Sequence, residues 1–393
     1  MTNRTRPRKI AVSIGLLARN EETRIRTTLT TLFRQTLFAE LDRRDQRAEI
    51  WCVANACTDN TAAVAEYIFH EQAASHPHAG AFFANSVSVT TPGKINAWNL
   101  FVHEISDHES QCLILMDADI SLGETTTLWN LVRGLAEDPE AHVTVGDPIK
   151  DIALKSSTRL HERVSLATSQ VTQSTGAQLT GQLYCIRASV ARAIRLPRDL
   201  AACEDGFIKS VVCTDFLQRP SNPARIRRVE GASHVFEAYT SVEAIVRNQK
   251  RQMIGQAFVH VLVDKYLPDV CGLCTRTGAS LGEVVRVLDE NNPGWLRDLI
   301  NDHVREARHF WRLFPHACTF RLQRWRDLPA RRKLSHLPAT LVGTAVTMLA
   351  TWLAYRALSR GALGYWPQKP PQANQPSGTR LPDGLSLPHP AAG

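Results

Sequence analysis

Residues 112–120 read CLILMDADI: five apolar residues run straight into two carboxylates one residue apart, Asp117 and Asp119. A short apolar run of this kind is a buried strand, and in an open α/β sheet the carboxyl ends of the strands border the ligand crevice. A D-A-D at that edge offers oxygen ligands to a hard divalent cation, and a cation so held would bind the diphosphate of a nucleotide. Taken alone, the pair also reads as a polar turn, because Asp is common where strands end. The rest of the chain weighs toward the first reading.

Upstream, Ile10 to Ala18 is a strand, followed by the polar turn ARNEE and a helix from about Thr23 with Ile25, Leu29, Leu32 and Phe33 on one face. EIWCVAN (49–55) is a second strand, leading through ACTDNT into a helix that holds Val64, Tyr67 and Ile68. SVSVT is a third, meeting the turn Pro92-Gly93 and a helix opened by Lys94. Four strands alternating with helices predict a βαβ series, a mostly parallel sheet and right-handed crossovers. A helix over 125–137 and the strand HVTVGD (142–147) continue the pattern. It then loosens into a polar helix near 158–173, the apolar stretch QLTGQLYCIRA, the loop and helix of LAACEDGFIKSVV, the strand RIRRVEGASHVFE and a helix over 241–262.

With 393 residues and 44% hydrophobic content, the chain can bury a full core and is globular. Nine cysteines, odd in number, scattered and often inside apolar runs, predict a reduced, cytosolic catalytic part. Cys271 and Cys274 form one C-x-x-C with no second pair at zinc-finger spacing, so a structural turn is preferred there to a metal or redox site. The basic head MTNRTRPRK before IAVSIGLLA imitates a signal peptide, but the apolar run ends in Arg19-Asn20-Glu21-Glu22 and not at a small-residue cleavage site. It is read as the first strand.

Residues 303–333 carry nine Lys or Arg against Glu306 and Asp327, a block suited to an anionic surface, either lipid or nucleic acid. Eighteen uncharged residues follow at 338–355, PATLVGTAVTMLATWLAY, flanked by Arg331-Arg332-Lys333 and by Arg356 and Arg360. That length just crosses a bilayer and its four threonines weaken the signal, so a spanning and an interfacial helix both fit. Phe310, Trp311, Phe314, Phe320 and Trp325 interleave with the arginines as in an interfacial segment. A membrane surface, and no nucleic acid, is therefore the expected partner. The organisation expected is a basic tail (1–9), an α/β domain (10–262), a basic helical membrane-proximal segment (263–335), a transmembrane or interfacial helix (336–360) and a disordered Pro/Gln/Gly/Ser-rich tail (361–393). The domain would face the cytoplasm at the inner, cytoplasmic membrane, and a chain ending near residue 335 would be more soluble.

Taken together, the motifs resemble the family-2 glycosyltransferases over about residues 8–260. In family order they are A-R-N-E-E, A-N-A-C-T-D-N-T, G-K-I-N-A-W-N, D-A-D, T-G-Q-L-Y-C-I-R, E-D-G-F and a late R-N-Q-K-R-Q. The resemblance implies a GT-A (Rossmann-like) fold and an inverting transfer of a sugar from a nucleotide-diphosphate sugar, a UDP-sugar first, to a lipid-linked, glycan or small-molecule hydroxyl. It implies that Arg19, Asn20, Glu21 and Asn55 surround the nucleobase and that Lys94 faces phosphate or base. Gly181 and Gln182 would line the nucleotide-sugar site. Asp117 would touch the ribose or a metal-bound water, and Asp119 would coordinate Mg²⁺ or Mn²⁺, with His234 as a possible third ligand. Asp205 would be the general base, Glu204 its orienting partner, and Arg251 a stabiliser of the diphosphate. Asp59 is read instead as a turn and helix-cap residue.

Two departures matter. Asn55 stands where an acid is common, which opens the choice of base. Asn248 and Gln252 replace the ends of the Q-x-x-R-W of processive relatives, removing the aromatic platform for a growing chain and implying transfer of one sugar. The alternatives are a nucleotidyltransferase of related α/β fold and an inactive, membrane-tethered binding or scaffold protein.

Overall fold

Side-chain alternation along CLILMD decides how the sheet is covered. Leu113 and Leu115 belong to one buried cluster and Ile114 and Met116 to another, so the strand is covered on both faces. The computed structural model describes residues 8–154, 179–239, 241–270, 278–307, 312–315 and 319–361. The helix expected near 158–173, Cys271 and Cys274, Phe310 and Trp311, and the tail beyond Gly361 lie outside the described residues.

In chain order the elements are β1 (Lys9–Ala18), α1 (Ile25–Phe33), α2 (Leu37–Arg43), β2 (Gln46–Asn55), α3 (Thr61–Ser75), β3 (Phe82–Val89), α4 (Lys94–Leu100), β4 (Cys112–Asp117), β5 (Ser121–Leu122), α5 (Thr127–Glu137) and β6 (Val143–Lys150). They continue with β7 (Leu183–Arg187), α6 (Ala188–Ala193), α7 (Glu204–Cys213), β8 (Ile226–Phe236), α8 (Val242–His260), α9 (Leu281–Asn291), α10 (Trp295–Glu306), α11 (Phe320–Arg326) and α12 (Ala330–Leu358). The mixed α/β, Rossmann-like sheet expected from the sequence is present, with eight strands in the order β3-β2-β1-β4-β7-β6-β8-β5.

The parallel half, β3-β2-β1-β4, carries the βαβ series. Beyond it the sheet departs from a mostly parallel one: β7 runs antiparallel to both β4 and β6, β6 and β8 are parallel, and β5 is antiparallel to β8. The reversal has a use. Because β7 starts where β4 ends, Asp117 N–H donates to the Gln182 carbonyl at 2.9 Å, and residues 181–182 lie beside the D-A-D. The strand order also turns back between β1 and β4, the kind of switch point that opens a crevice at the carboxyl ends.

Helix α12 begins inside the basic block, at Ala330, and runs unbroken through Pro338 to Leu358. Its small and hydroxyl residues face inward: Thr340, Thr347, Ala350, Thr351 and Ala354 are buried, while Leu341, Val342, Met348, Leu349 and Trp352 are exposed. The threonine hydroxyls are satisfied by carbonyls one turn back, as in Thr351 Oγ1 to the Thr347 carbonyl at 2.8 Å. The inward face packs on α8, and Ala350, Ala354 and Leu358 share one core cluster with Ile254, Ala257 and Phe258. One face of the helix thus joins the core, while only 33% of its most apolar stretch is buried, and His336–Leu358 is long and apolar enough to cross a membrane by length and composition. Ending the chain at residue 335 should bare this face of α8, giving a lower Tm and less soluble protein than the full chain. Equal Tm and higher solubility of the truncated chain would count against this packing.

Candidate active site

The carboxyl ends of β1, β2 and β4, the start of β7 and the amino end of α7 converge on one place. Asp117, at the end of β4, continues the alternation of Leu113 and Leu115 and so points to the face covered by α4. There Lys94, the first residue of α4, sets its ammonium 2.7 Å from Asp117 Oδ1, 2.8 Å from Glu204 Oε1 and 3.0 Å from the Gly181 carbonyl. Burial works against the Lys94 charge, but the two carboxylates overcome it and hold the pKa above its ordinary value. Burial likewise opposes the Glu204 charge, and Lys94 more than offsets it, holding that carboxyl below its usual range.

Asp205 behaves in the opposite way. Burial, and then the adjacent Glu204 charge, push its pKa up to about 6, against the hydrogen bonds it accepts from the Gly206 and Gly181 N–H groups. Two neighbouring carboxylates with pKa values driven apart are the arrangement from which a general base is made.

The backbone is specialised at the same place. Asn20, Ala56 and Cys203 hold φ of 56°, 48° and 62°, a left-handed conformation rare without glycine, at the ends of β1 and β2 and just before Glu204. At Gly181 a Cβ would lie 2.5 Å from Glu204 Oε1, so only glycine lets β7 approach the Lys94 network this closely. At Gly255 of α8 a Cβ would lie 2.7 Å from the Ala202 carbonyl and from Cys203 Sγ, which fixes α8 against the segment that delivers Glu204 and Asp205.

The loops after β1 and β2 are laced together. Asn20 Oδ1 accepts from Thr58 N at 2.8 Å, Glu21 N donates to Thr61 Oγ1 at 2.8 Å, and Asp59 accepts from the N–H groups of Glu22 and Thr61. Asp59 is therefore the turn and cap residue the sequence suggested. Asn55 is fully buried and its amide is spent internally, donating to the Thr91 carbonyl at 3.0 Å and accepting from Gly93 N at 2.7 Å. It acts on the site by fixing the turn that launches Lys94. Arg19 lies beside the positive-φ Asn20 at the rim.

Among the described residues no group of three or more His, Cys, Asp or Glu side chains is placed to hold a metal. His234 is buried with Nε2 3.2 Å from Gln182 Oε1, and burial lowers its pKa to about 4, so it is neutral. Asp117 shares its carboxylate with Lys94. The D-A-D carboxylates are oxygen ligands of the type that suits Mg²⁺ or Mn²⁺, for Mg²⁺ is commonly held by one or two carboxylates with substrate phosphates and water.

A cavity of about 470 Å³ opens beside this network, lined by Gly93, Lys94, Asn96, Glu204 and Arg251, together with Arg195, Arg198 and Arg297. Arg195 and Arg198 share the segment after α6 and Arg297 lies on α10, and none of the three falls in a motif read from the sequence. A second cleft, of about 660 Å³ along α1 and α3, contains none of the site carboxylates. Arg251 is close enough for its charge to favour the ionised Glu204 and to oppose, in small part, the burial that raises the Cys203 thiol, so it borders the same site. Beneath the network the G-K-I-N-A-W-N and T-G-Q-L-Y motifs meet as Trp98 Nε1 donates to Tyr184 Oη at 2.7 Å.

No family model matches the chain, and no curated protein matches it. Among solved structures it is similar to TarS residues 1–349 from S. aureus, at 14% identity and TM-score 0.42, covering 89% of this chain and 90% of that one. It is similar to the same protein in complex with UDP-GlcNAc, at 14% identity and TM-score 0.41, covering 89% and 91%. A third likeness, at 14% identity and TM-score 0.39 over 62% of this chain and 78% of that one, is to glucosyl-3-phosphoglycerate synthase from Mycobacterium tuberculosis in complex with Mn²⁺, UDP-glucose and phosphoglyceric acid. Likenesses this distant transfer no chemistry.

The raised Asp205 pKa has a consequence for stability. Ionising a carboxylate whose folded pKa is about 6 against an ordinary 3.8 costs the fold at every pH above 3.8, and in full above about 6. Asp205→Asn removes that cost, so its Tm should exceed that of the native protein at pH 8 and the gain should fade toward pH 4. An equal or lower Tm at pH 8 would mean that Asp205 is not strained in this way.

Proposed function

We propose that the chain is an inverting glycosyltransferase of GT-A type that moves one sugar from a nucleotide-diphosphate sugar, most simply a UDP-sugar, to an acceptor hydroxyl. The observation that carries this reading is the pairing of a charged Glu204, held by Lys94, with an Asp205 whose pKa lies near 6. In the reaction Asp205 takes the proton of the acceptor hydroxyl while its oxygen attacks the anomeric carbon from the face opposite the leaving group. The new glycosidic bond forms as the bond from that carbon to the phosphate oxygen breaks, and the nucleoside diphosphate departs with its electron pair. Glu204 and Lys94 hold the base in register, and Arg251 supplies positive charge beside them. Asp119, with Asp117 behind it, would hold Mg²⁺ or Mn²⁺, which when bound neutralises the departing diphosphate.

The test is to incubate the full chain with a panel of nucleotide sugars and to follow metal-dependent nucleotide release and product mass. Release is expected with one class of donor, falling as the pH drops below about 6 because the base becomes protonated, with one sugar mass added per acceptor. Asp119→Asn should lose both the metal dependence and most of the rate, because an amide lacks the charge that holds the cation. Release that ignores EDTA and survives Asp119→Asn would remove the metal; no release with any donor would sink the enzyme reading.

We further propose that the outer face of α12 rests on an anionic bilayer at the cytoplasmic surface of the inner membrane. Leu341, Val342, Met348, Leu349 and Trp352 form an exposed apolar face, bordered by the exposed Arg326, Arg331 and Arg356, with Arg356 stacked 4.7 Å over the Trp352 ring. Apolar contact flanked by cations matches acyl chains beneath anionic headgroups. A helix with one face in the protein core lies along the membrane and does not span it alone. The full chain should float with vesicles containing phosphatidylglycerol, and Leu349→Glu with Trp352→Glu should abolish flotation. Flotation unchanged by the double substitution would reject this face.

A further inference from the structure

We infer that the arginine-lined cavity behind Lys94 is an acceptor-side anion site, selecting a small hydroxyl compound that carries a phosphate or carboxylate. The inference rests on the glycosyltransferase reading and narrows its acceptor. It comes from how the charges in the cavity are spent. Lys94 is committed to Asp117 and Glu204, and Arg297 Nε pairs with Asp199 Oδ2 at 2.9 Å. The oxygens of Asp289 are occupied by N–H groups, accepting from Trp295 Nε1 at 2.8 Å and from the Arg198 backbone at 3.1 Å. Glu104 is exposed at the rim.

Among the described residues, Arg195, Arg198 and Arg251 make no ion pair, and Arg251 Nη2 meets only the Asn248 amide oxygen, at 3.2 Å. Three guanidinium groups thus line one concave space with no ion pair of their own; Asp289 acts on Arg195 and Arg198, and Glu204 on Arg251, through charge at longer range. A guanidinium presents a planar fork of donors that matches phosphate or carboxylate bidentately, and with Arg198 exposed and Arg195 and Arg251 half-buried the three forks can be reached from solvent. The volume of about 470 Å³ suits a small molecule and not a polymer. Glu204 forms part of the same wall. An acceptor anchored by its anion on Arg195 and Arg198 would occupy the cavity whose wall includes Glu204, the residue before Asp205.

The experiment titrates the full chain calorimetrically with glycerol 3-phosphate, and with glycerol as the uncharged control, with and without saturating UDP. Glycerol 3-phosphate is expected to bind and glycerol not, and UDP is expected not to compete. Arg195→Gln with Arg198→Gln should weaken glycerol 3-phosphate at least about tenfold, the loss expected when charge-assisted hydrogen bonds are removed. UDP affinity should change less than about twofold, and Tm should show the variant folded. Arg195→Lys with Arg198→Lys, which keeps charge but not the fork, should bind between the two. Equal binding of glycerol, or full affinity in the glutamine variant, would overturn the proposal. So would competition by UDP together with a parallel fall in UDP affinity, since the anion held there would then be the donor's diphosphate. If UDP fails to bind at all while glycerol 3-phosphate binds and depends on the arginines, the anion site stands and the glycosyltransferase reading falls.

Discussion

One ammonium group organises the site. Lys94, at the start of α4, is fixed between a carboxylate from the end of β4 and another from the start of α7, with the Gly181 carbonyl of the β7 approach as its third partner. Burial opposes the Lys94 charge and the two carboxylates offset it, and Lys94 in turn keeps Glu204 ionised. Removing one member of a buried charge cluster typically costs on the order of 3–5 kcal/mol, mostly through the charge left behind. The cluster therefore joins sheet to helices and sets geometry and electrostatics together. Because Lys94 keeps Glu204 ionised, the next residue, Asp205, sits beside a permanent negative charge and has no cation of its own. Burial, and then the Glu204 charge, raise the Asp205 pKa while Lys94 holds that of Glu204 down, so two adjacent carboxylates are driven apart.

Much of this was legible because it is carried by local pattern. The alternation in CLILMD, the spacing of Ile25, Leu29, Leu32 and Phe33, and the order of the polar turns each report a period that the backbone must satisfy. The structure keeps all of them, and it brings Lys94, Asp117, Gly181, Glu204 and Asp205 together from four separated motifs. What was not legible depends on partners distant in the chain. The direction of β7 cannot be read from LYCIR, since an apolar run pairs equally well either way, yet that direction puts Gly181 against Glu204. Asn55 reads as a recognition amide, but its two ends are taken by residues of the β3–α4 turn. The arginines of the cavity come from the segment after α6, from α8 and from α10, and no periodicity links residues 195, 198, 251 and 297.

Helix α12 shows the same limit from the other side. Composition along 338–355 registers threonines as a weakness in an otherwise apolar run, and a window average cannot say which face they occupy. Packing on α8 assigns them: the small and hydroxyl residues turn inward, where close approach between helices favours them and where each hydroxyl can bond its own helix. Thr347 Oγ1 also lies 3.2 Å from Gln249 Oε1, where its one proton is shared with the Gly343 carbonyl, and accepts from Arg321 Nε at 3.0 Å, tying α12 both to the R-N-Q-K-R-Q segment and to α11.

That attachment links the two ends of the molecule's chemistry. Gln249 is two residues from Arg251, which lines the cavity beside Glu204, and Gly255 one turn further along α8 is pressed against Ala202 and Cys203. The helix that carries the apolar outer face is therefore braced on the same helix that braces the segment delivering Glu204 and Asp205. A surface that held α12 in place would act on α8 directly, with no intervening loop to absorb the constraint. The burial of α12 against α8 thus ties the outward apolar face to the position of Asp205 through packed side chains alone.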